Sequence, residues 1–322
     1  MLYNSAYKFS KRRSNRSPFL TFEPMFYLLL TILANVAIFL SFRSFSKFNI
    51  NTFPAIITNY LVCVITGSLY VGFGHIKTTI AIDQSWFQVA AVLGIVFVST
   101  FYLMAKTTQT RGIAVATVAS KMSLAIPVLF SLFIFKIGTS SLDLWNYLGI
   151  AIAFIAIYLV SKKQASESIG KKQITLAYLA LPLAVFILGG LIDTTLNYAN
   201  HNLIEEEVEG IFPIITFGSA FILGLIFILI KGIKVRPKDI LGGIYLGVPN
   251  YFSIYLQLKA LSAFENNGAI LYPSLNIGII IVSTIFAILI FKEKLSLLNR
   301  IGISLAILAI LLLSHQEILR AL

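Results

Sequence analysis

Two ionisable residues stand inside apolar runs where charge is costly. Lys121 lies in GIAVATVASKMSLAIP, nine residues after Gly112 and six before Pro127, and Asp193 lies in FILGGLIDTTLNYAN. At 1.5 Å rise per residue, Lys121 is about 13 Å from the start of its run. That is too deep for its ammonium to snorkel to water. A charge at a bilayer centre costs about 2.5–3.5 kcal/mol on insertion scales, so each group should face a cavity or a partner. Lys121 could attract an anionic group, and Asp193 could hold an amine or a proton. The two could also pair, as a structural bridge or as a switch, and either protonation behaviour of the buried Asp could be built. Backbone carbonyls or a paired acid could equally hold Lys121 in a purely structural role.

Polar residues elsewhere in the runs extend this set. Asn197 follows Asp193 by four residues and shares its helix face, and Tyr272 and Asn276 have the same spacing. With Asn35, Asn250 and Tyr102 they complete the expected binding set: Lys121, Asp193, Asn35, Asn197, Tyr272, Asn276, Asn250 and Tyr102. Asn59, Tyr251, Tyr255, Gln257 and Ser274 are also mid-run and polar. The bland role of such groups is interhelical hydrogen bonding, worth about 0.6 kcal/mol each.

The elements that position these residues follow from composition. Of 322 residues, 58% are hydrophobic and only 12% charged, against about 25% charged in a soluble domain. About ten runs reach the roughly 20 apolar residues that a membrane helix needs. They are Met25–Phe42, Pro54–Gly72, Trp86–Ala105, Ile113–Phe135, Leu144–Val160, Leu176–Leu196, Phe212–Ile230, Ile240–Leu258, Ala269–Phe291 and Leu297–Leu313. Backbone in lipid must satisfy its own hydrogen bonds, so such runs are helices. The fold class is therefore an all-α polytopic membrane protein with ten transmembrane helices. Small residues at four-residue spacing (Gly112, Ala116 and Ser120; Gly149 and Ala153; Gly243 and Gly247) predict close helix packing. Pro127, Pro182, Pro249 and Pro273 are expected to kink the spans.

The chain also repeats itself. Gly112–Lys136 aligns with Gly268–Lys292, and GIAIAFIAIYLVS (149–161) with GISLAILAILLLS (302–314). Upstream, Phe53-Pro54 pairs with Phe212-Pro213, and Asn35 falls opposite Asp193. Five helices follow five helices, and an odd number of crossings inverts the second copy relative to the first, an arrangement common in secondary transporters. The expected divisions are a basic tail at 1–24, a first repeat at 25–161, a polar linker at 162–173, a second repeat at 174–314 and a short tail at 315–322. The basic tail could be an artefact if translation begins at Met25.

The net charge is +12, but the basic residues sit between apolar runs, which argues for headgroups and against nucleic acid. Loops after odd-numbered spans hold about fifteen Lys and Arg, which favours those loops inside; the basic tail argues the other way. The sequence contains no GxxxxGK[ST] loop, HExxH pair or Gly-x-Ser-x-Gly elbow, and one Cys and three scattered His predict no metal or cofactor.

On GIAVATVASKMSLAIPVLFSLFIFK (112–136) and GAILYPSLNIGIIIVSTIFAILIFKE (268–293), each followed by a Gly-led span, the chain resembles the drug/metabolite transporter superfamily, in particular its EamA-like ten-helix permeases. Phe291-Lys292-Glu293 matches the family's apolar-Lys/Gly-Glu step, whereas Lys136-Ile137 lacks the acid. The resemblance implies two inverted five-helix bundles, a central cavity, alternating access and cytoplasmic termini. The expected function is thus a secondary transporter of a small metabolite (an amino acid, an amphiphile or a drug-like compound), proton-coupled or exchanging, in the cell membrane, as a monomer or homodimer. It is not expected to be an enzyme. The alternative is a membrane-embedded enzyme or lipid-handling protein using the same cavity.

Overall fold

The computed structural model describes residues 22–80, 82–126, 144–162, 176–264, 268–316 and 319. Among these residues the chain is helical and forms no strand. The helices are α1 (Phe22–Lys47), α2 (Thr52–Val71), α3 (Phe73–Thr79), α4 (Ser85–Arg111), α5 (Ile113–Lys121), α6 (Leu144–Lys162), α7 (Leu176–Asn202), α8 (Ile211–Lys231), α9 (Pro237–Ala263), α10 (Gly268–Phe291) and α11 (Leu297–Leu313). Seven of them, α1, α2, α4, α6, α7, α8 and α10, are long and apolar enough to cross a membrane, the mark of a multi-pass membrane protein. Their outward faces carry large side chains such as Leu69, Leu229 and Ile230, each about 70% exposed or more. Surfaces this greasy call for lipid as solvent.

The helices depart from the sequence expectation in three places. α9 is 27 residues long but falls outside the seven, because Lys238, Asp239, Asn250, Gln257 and Lys259 dilute its hydropathy. α3 is an extra seven-residue helix with no buried residue, between the second and third expected spans. The span expected at Ile113–Phe135 is not one uninterrupted α-helix: α5 gives way after Lys121 to a 3-10 turn at Met122–Leu124. Helix resumes at Ala125 and Ile126, and the rest of the span from Pro127 to Lys136 lies outside the described residues, as do most of the 162–173 linker and residues 1–21. Pro182, Pro249 and Pro273 sit inside helices that continue past them.

Packing across the two halves of the sequence is reciprocal. α9 lies against α1 and α2, while α4 lies against α7 and α8. α6 and α11 run antiparallel and exchange like contacts. Asn146 donates to the Leu313 carbonyl (3.1 Å) and Asn299 donates to the Val160 carbonyl. A Cβ on Gly149 would come within 3.2 Å of the Ala309 oxygen, and one on Gly302 within 2.7 Å of the Val160 nitrogen. α2 and α8 are also antiparallel: Gly67 packs on Ile214 at one end and Gly224 on Ile57 at the other. In the same way α5 and α10 are tied at Ile113–Glu293, Thr117–Ser283 and Lys121–Asn276.

Charge is segregated between the two ends of the bundle. One end carries Arg43, Lys47, Lys106, Arg111, Lys231, Lys234, Arg236, Lys238, Lys292, Lys294 and Arg300 against Asp239 and Glu293. It is stitched by Arg43–Glu293 (3.3 Å) and by Arg236–Asp239 (2.9 Å). The other end carries Asp83 and the Glu205–Glu209 run against Lys77 and Lys259, with Lys259 paired to Glu209 at 2.7 Å.

Candidate functional site

α1, α4, α5, α7 and α9 converge on a cavity of about 60 Å³ at mid-depth. Its walls carry Asn35, Thr100, Ser120, Lys121, Asp193, Ser253 and Gln257 among apolar residues that include Phe39, Phe97 and Phe101. A water needs about 10–15 Å³ of such space, so a few waters fit, far short of the several hundred Å³ of a small-molecule site. Toward the basic end, a cluster of buried phenylalanines continues from the cavity wall: Phe97 stacks on Phe101, Phe101 meets Phe42 edge-on, and Phe42 meets Phe45 edge-on.

The break in α5 sets the position of Lys121. A 3-10 turn shortens the hydrogen-bond ladder and leaves the preceding carbonyls short of partners. Asn276 on α10 donates to the Lys121 carbonyl at 3.2 Å, supplying one from a neighbouring helix. The Lys121 side chain is 7% exposed, and its ammonium donates to Asn35 Oδ1 at 3.4 Å. Asn35 in turn donates to the Thr31 carbonyl at 3.0 Å, which fixes its oxygen toward the lysine. Ser123, inside the 3-10 turn, shares its hydroxyl proton between the Ser120 carbonyl and the Asp193 carboxylate, the latter at 3.1 Å. Tyr272 donates to the Asp193 backbone carbonyl at 3.4 Å.

Lys121 and Asp193 feel each other's charge across the cavity, but they form no direct ion pair. Two opposite charges held apart in one small space can each engage one end of a zwitterion. They can also exchange a proton through an intervening water.

Of the expected set, Asn35, Lys121 and Asp193 therefore line one cavity, and Tyr272 and Asn276 brace it through the backbone. The other three lie elsewhere. Asn250 is buried in the α2–α9 seam, donating to Asn59 Oδ1 at 3.1 Å. Tyr102 faces outward, with Phe53 edge-on and the Lys106 ammonium 6.0 Å from its ring centre. Asn197, half-buried one turn beyond Asp193, is not part of the cavity wall. Four residues apart on a helix means about 40° of rotation and 6 Å of rise, enough to carry a side chain past so small a space. Sequence reasoning left Ser123 and Ser253 unnamed, and it left Gln257 out of the binding set. A serine two residues after a mid-span lysine was the available signal for Ser123, since the helix break that aims it at Asp193 has no sequence mark.

A second, larger hollow of about 980 Å³ opens at the basic end between α4, α8 and the α1–α2 turn. It is lined by Asn51, Thr52, Lys106, Gln109 and Thr110 near the end, and by Ile95, Val98, Tyr102, Leu223 and Phe227 deeper in.

No protein-family model matches the chain. It is 29% identical over 305 residues to a protein of Haemophilus influenzae described as uncharacterized, a match covering 91% of this chain and 99% of that one. Its fold is similar to that of a protein known by crystal structure and described no further, with a TM-score of 0.60 and 14% identity over 91% of this chain and 98% of the other. That second likeness is one of fold and extends over nearly the whole of both chains.

Proposed function

We propose that this chain is a secondary transporter of a small metabolite in the cell membrane, built as ten spans in two inverted five-helix halves, as the resemblance to drug/metabolite transporters and EamA-like permeases implies. The observation that carries this reading is the pair of opposite, unbridged charges facing one small cavity beside the 3-10 interruption that ends α5. Discontinuous helices at mid-membrane are where secondary transporters hold substrate and coupling ions. The reciprocal packing supports the inverted halves. Each equivalent pair, α2 with α8, α5 with α10 and α6 with α11, meets antiparallel, as it would about a two-fold axis in the membrane plane.

A cavity of about 60 Å³ is too small to hold a metabolite. Admitting a metabolite requires the helices to part, by opening either the phenylalanine cluster or the Lys259–Glu209 end. A zwitterion such as an amino acid suits the charges best: its carboxylate at Lys121, its ammonium at Asp193. The positive-inside rule orients the basic end to the cytoplasm, which places the start of α1 outside, opposite to the family's usual arrangement.

Reconstitution into liposomes tests the reading. Uptake of amino acids and related amphiphiles is measured under imposed pH and voltage gradients, with Lys121→Met and Asp193→Asn as controls. Flux that both substitutions abolish supports it. An absence of flux across the panel, or flux indifferent to both substitutions, ends it.

A further inference from the structure

The hollow between α4 and α8 has the chemistry of a one-leaflet lipid site, and we propose that it binds an anionic phospholipid of the leaflet at the basic end. Its polar lining gathers at the mouth: Lys106, Gln109 and Thr110 on α4, with Asn51 and Thr52 at the start of α2. Deeper in, Ser99 also lines it, but its hydroxyl donates to the Ile95 carbonyl of its own helix. Among the residues that line it there is no Asp or Glu. Gln109 is committed inward, donating to Thr52 Oγ1 at 2.7 Å. Lys106 is exposed and forms no ion pair among the described residues, and its ammonium rests near the Tyr102 ring. Thr110 donates to the Lys106 carbonyl at 2.7 Å, whereas Thr52 only accepts, from Gln109. The mouth therefore presents one free cation and one hydroxyl with its proton to give, groups that a phosphodiester takes up. Lys47, Lys231 and Lys234 stand nearby in sequence, on the segments that border the mouth.

Below the mouth, apart from Ser99 and the Tyr102 hydroxyl, the lining is apolar, and much of it is exposed. Ile95, Leu223 and Phe227 are 54%, 42% and 45% accessible, which is unfavourable in water and suited to an acyl chain. From Lys106 to Ile95 is eleven residues of helix, about 16 Å at 1.5 Å per residue. Half of a roughly 30 Å hydrocarbon core is about 15 Å, so the apolar wall is one leaflet tall. Basic hollows between membrane helices on the cytoplasmic side are suited to anionic headgroups. The proposal needs only the membrane placement of the helices and stands apart from the transport reading.

The test uses the purified full-length protein in detergent. Its thermal unfolding is followed while phosphatidylglycerol, phosphatidylcholine of the same chains, or inorganic phosphate is titrated in. Saturable stabilisation by phosphatidylglycerol is expected, at least tenfold tighter than by phosphatidylcholine, with none from phosphate. Lys106→Gln should weaken phosphatidylglycerol about tenfold and leave phosphatidylcholine unchanged. Leu223→Trp, a substitution on an exposed face that fills the hollow, should weaken both lipids. The idea is overturned if the two lipids act equally, if phosphate alone stabilises as well as phosphatidylglycerol, or if both variants, folded as judged by their unligated unfolding temperature, titrate as wild type.

Discussion

The space at Lys121 and Asp193 measures about 60 Å³ and the one at Lys106 about 980 Å³, and they differ in how charge is treated. In the small cavity every charge is braced. Asn35 meets the lysine, Ser123 meets the aspartate, and Tyr272 and Asn276 hold the backbone beneath them. In the large groove the lysine is loose and the walls are apolar. Charge buried at mid-membrane is expensive unless its surroundings are fixed, whereas charge at the interface can be left to the lipid. The same contrast runs through the proposed repeat: aligning the two halves of the sequence sets Asp193 opposite Asn35 and Lys121 opposite Ile277, so the two costly charges have no charged counterpart in the other half.

Substitutions can separate the two spaces. Asp193→Asn and Lys121→Met should each lower liposome flux by about a hundredfold or more, while phosphatidylglycerol still stabilises the variants as it does wild type. Loss of lipid stabilisation in either would mean that the two spaces are coupled. Gly302→Leu should come next. Its side chain would collide with α6 backbone, so a cost of about 1–3 kcal/mol is expected in unfolding experiments. Unchanged stability would contradict the close α6–α11 seam.

Ser123→Ala removes one hydrogen bond to a carboxylate, worth about 1.5–3 kcal/mol, and should lower flux roughly 10- to 100-fold without moving the unfolding temperature much. Flux equal to wild type would detach the 3-10 turn from the mechanism. The smallest effect is expected at Glu293, outside both spaces. Burial raises its carboxyl above the ordinary glutamate value, opposed by the Ile113 and Ala114 amides and by Arg43. A raised carboxyl binds its proton more tightly when folded, so its contribution to stability is present at low pH and is lost as pH climbs through the folded value. Glu293→Gln should therefore flatten the unfolding temperature against pH above the glutamate range. Parallel profiles for the two proteins would exclude that role.

Much of the architecture was legible because lipid imposes simple rules. Apolar runs of about 20 residues must be helices, and α1, α2, α4, α6, α7, α8 and α10 fall where such runs lie. The Gly-led spans packed as their small residues suggested, with Gly149 and Gly302 at matching places in the α6–α11 contact. α9 was harder to read, because its polar residues serve the interior and lower the hydropathy that marks a span. Within the site, Lys121, Asp193 and Asn35 could be named from cost alone, since a charge or amide in lipid must be there for a reason.

Tyr102 and Asn250 share that polarity but not that place. Residue type says that a group needs a partner; only packing says which one. Tyr102 found a surface groove and Asn250 found Asn59, because helix rotation, which sequence spacing leaves free, turned them away from the centre. Sequence by itself determined that this chain must be helical, must live in lipid and must carry two costly charges at depth, since those follow from transfer free energies of single residues. Tertiary structure decided that α5 breaks beside Lys121, that Asn35 and Ser123 rather than an ion pair hold the charges, and that a groove opens between α4 and α8. Each of these depends on where neighbouring helices supply or withhold a contact, and that is a property of the packed bundle.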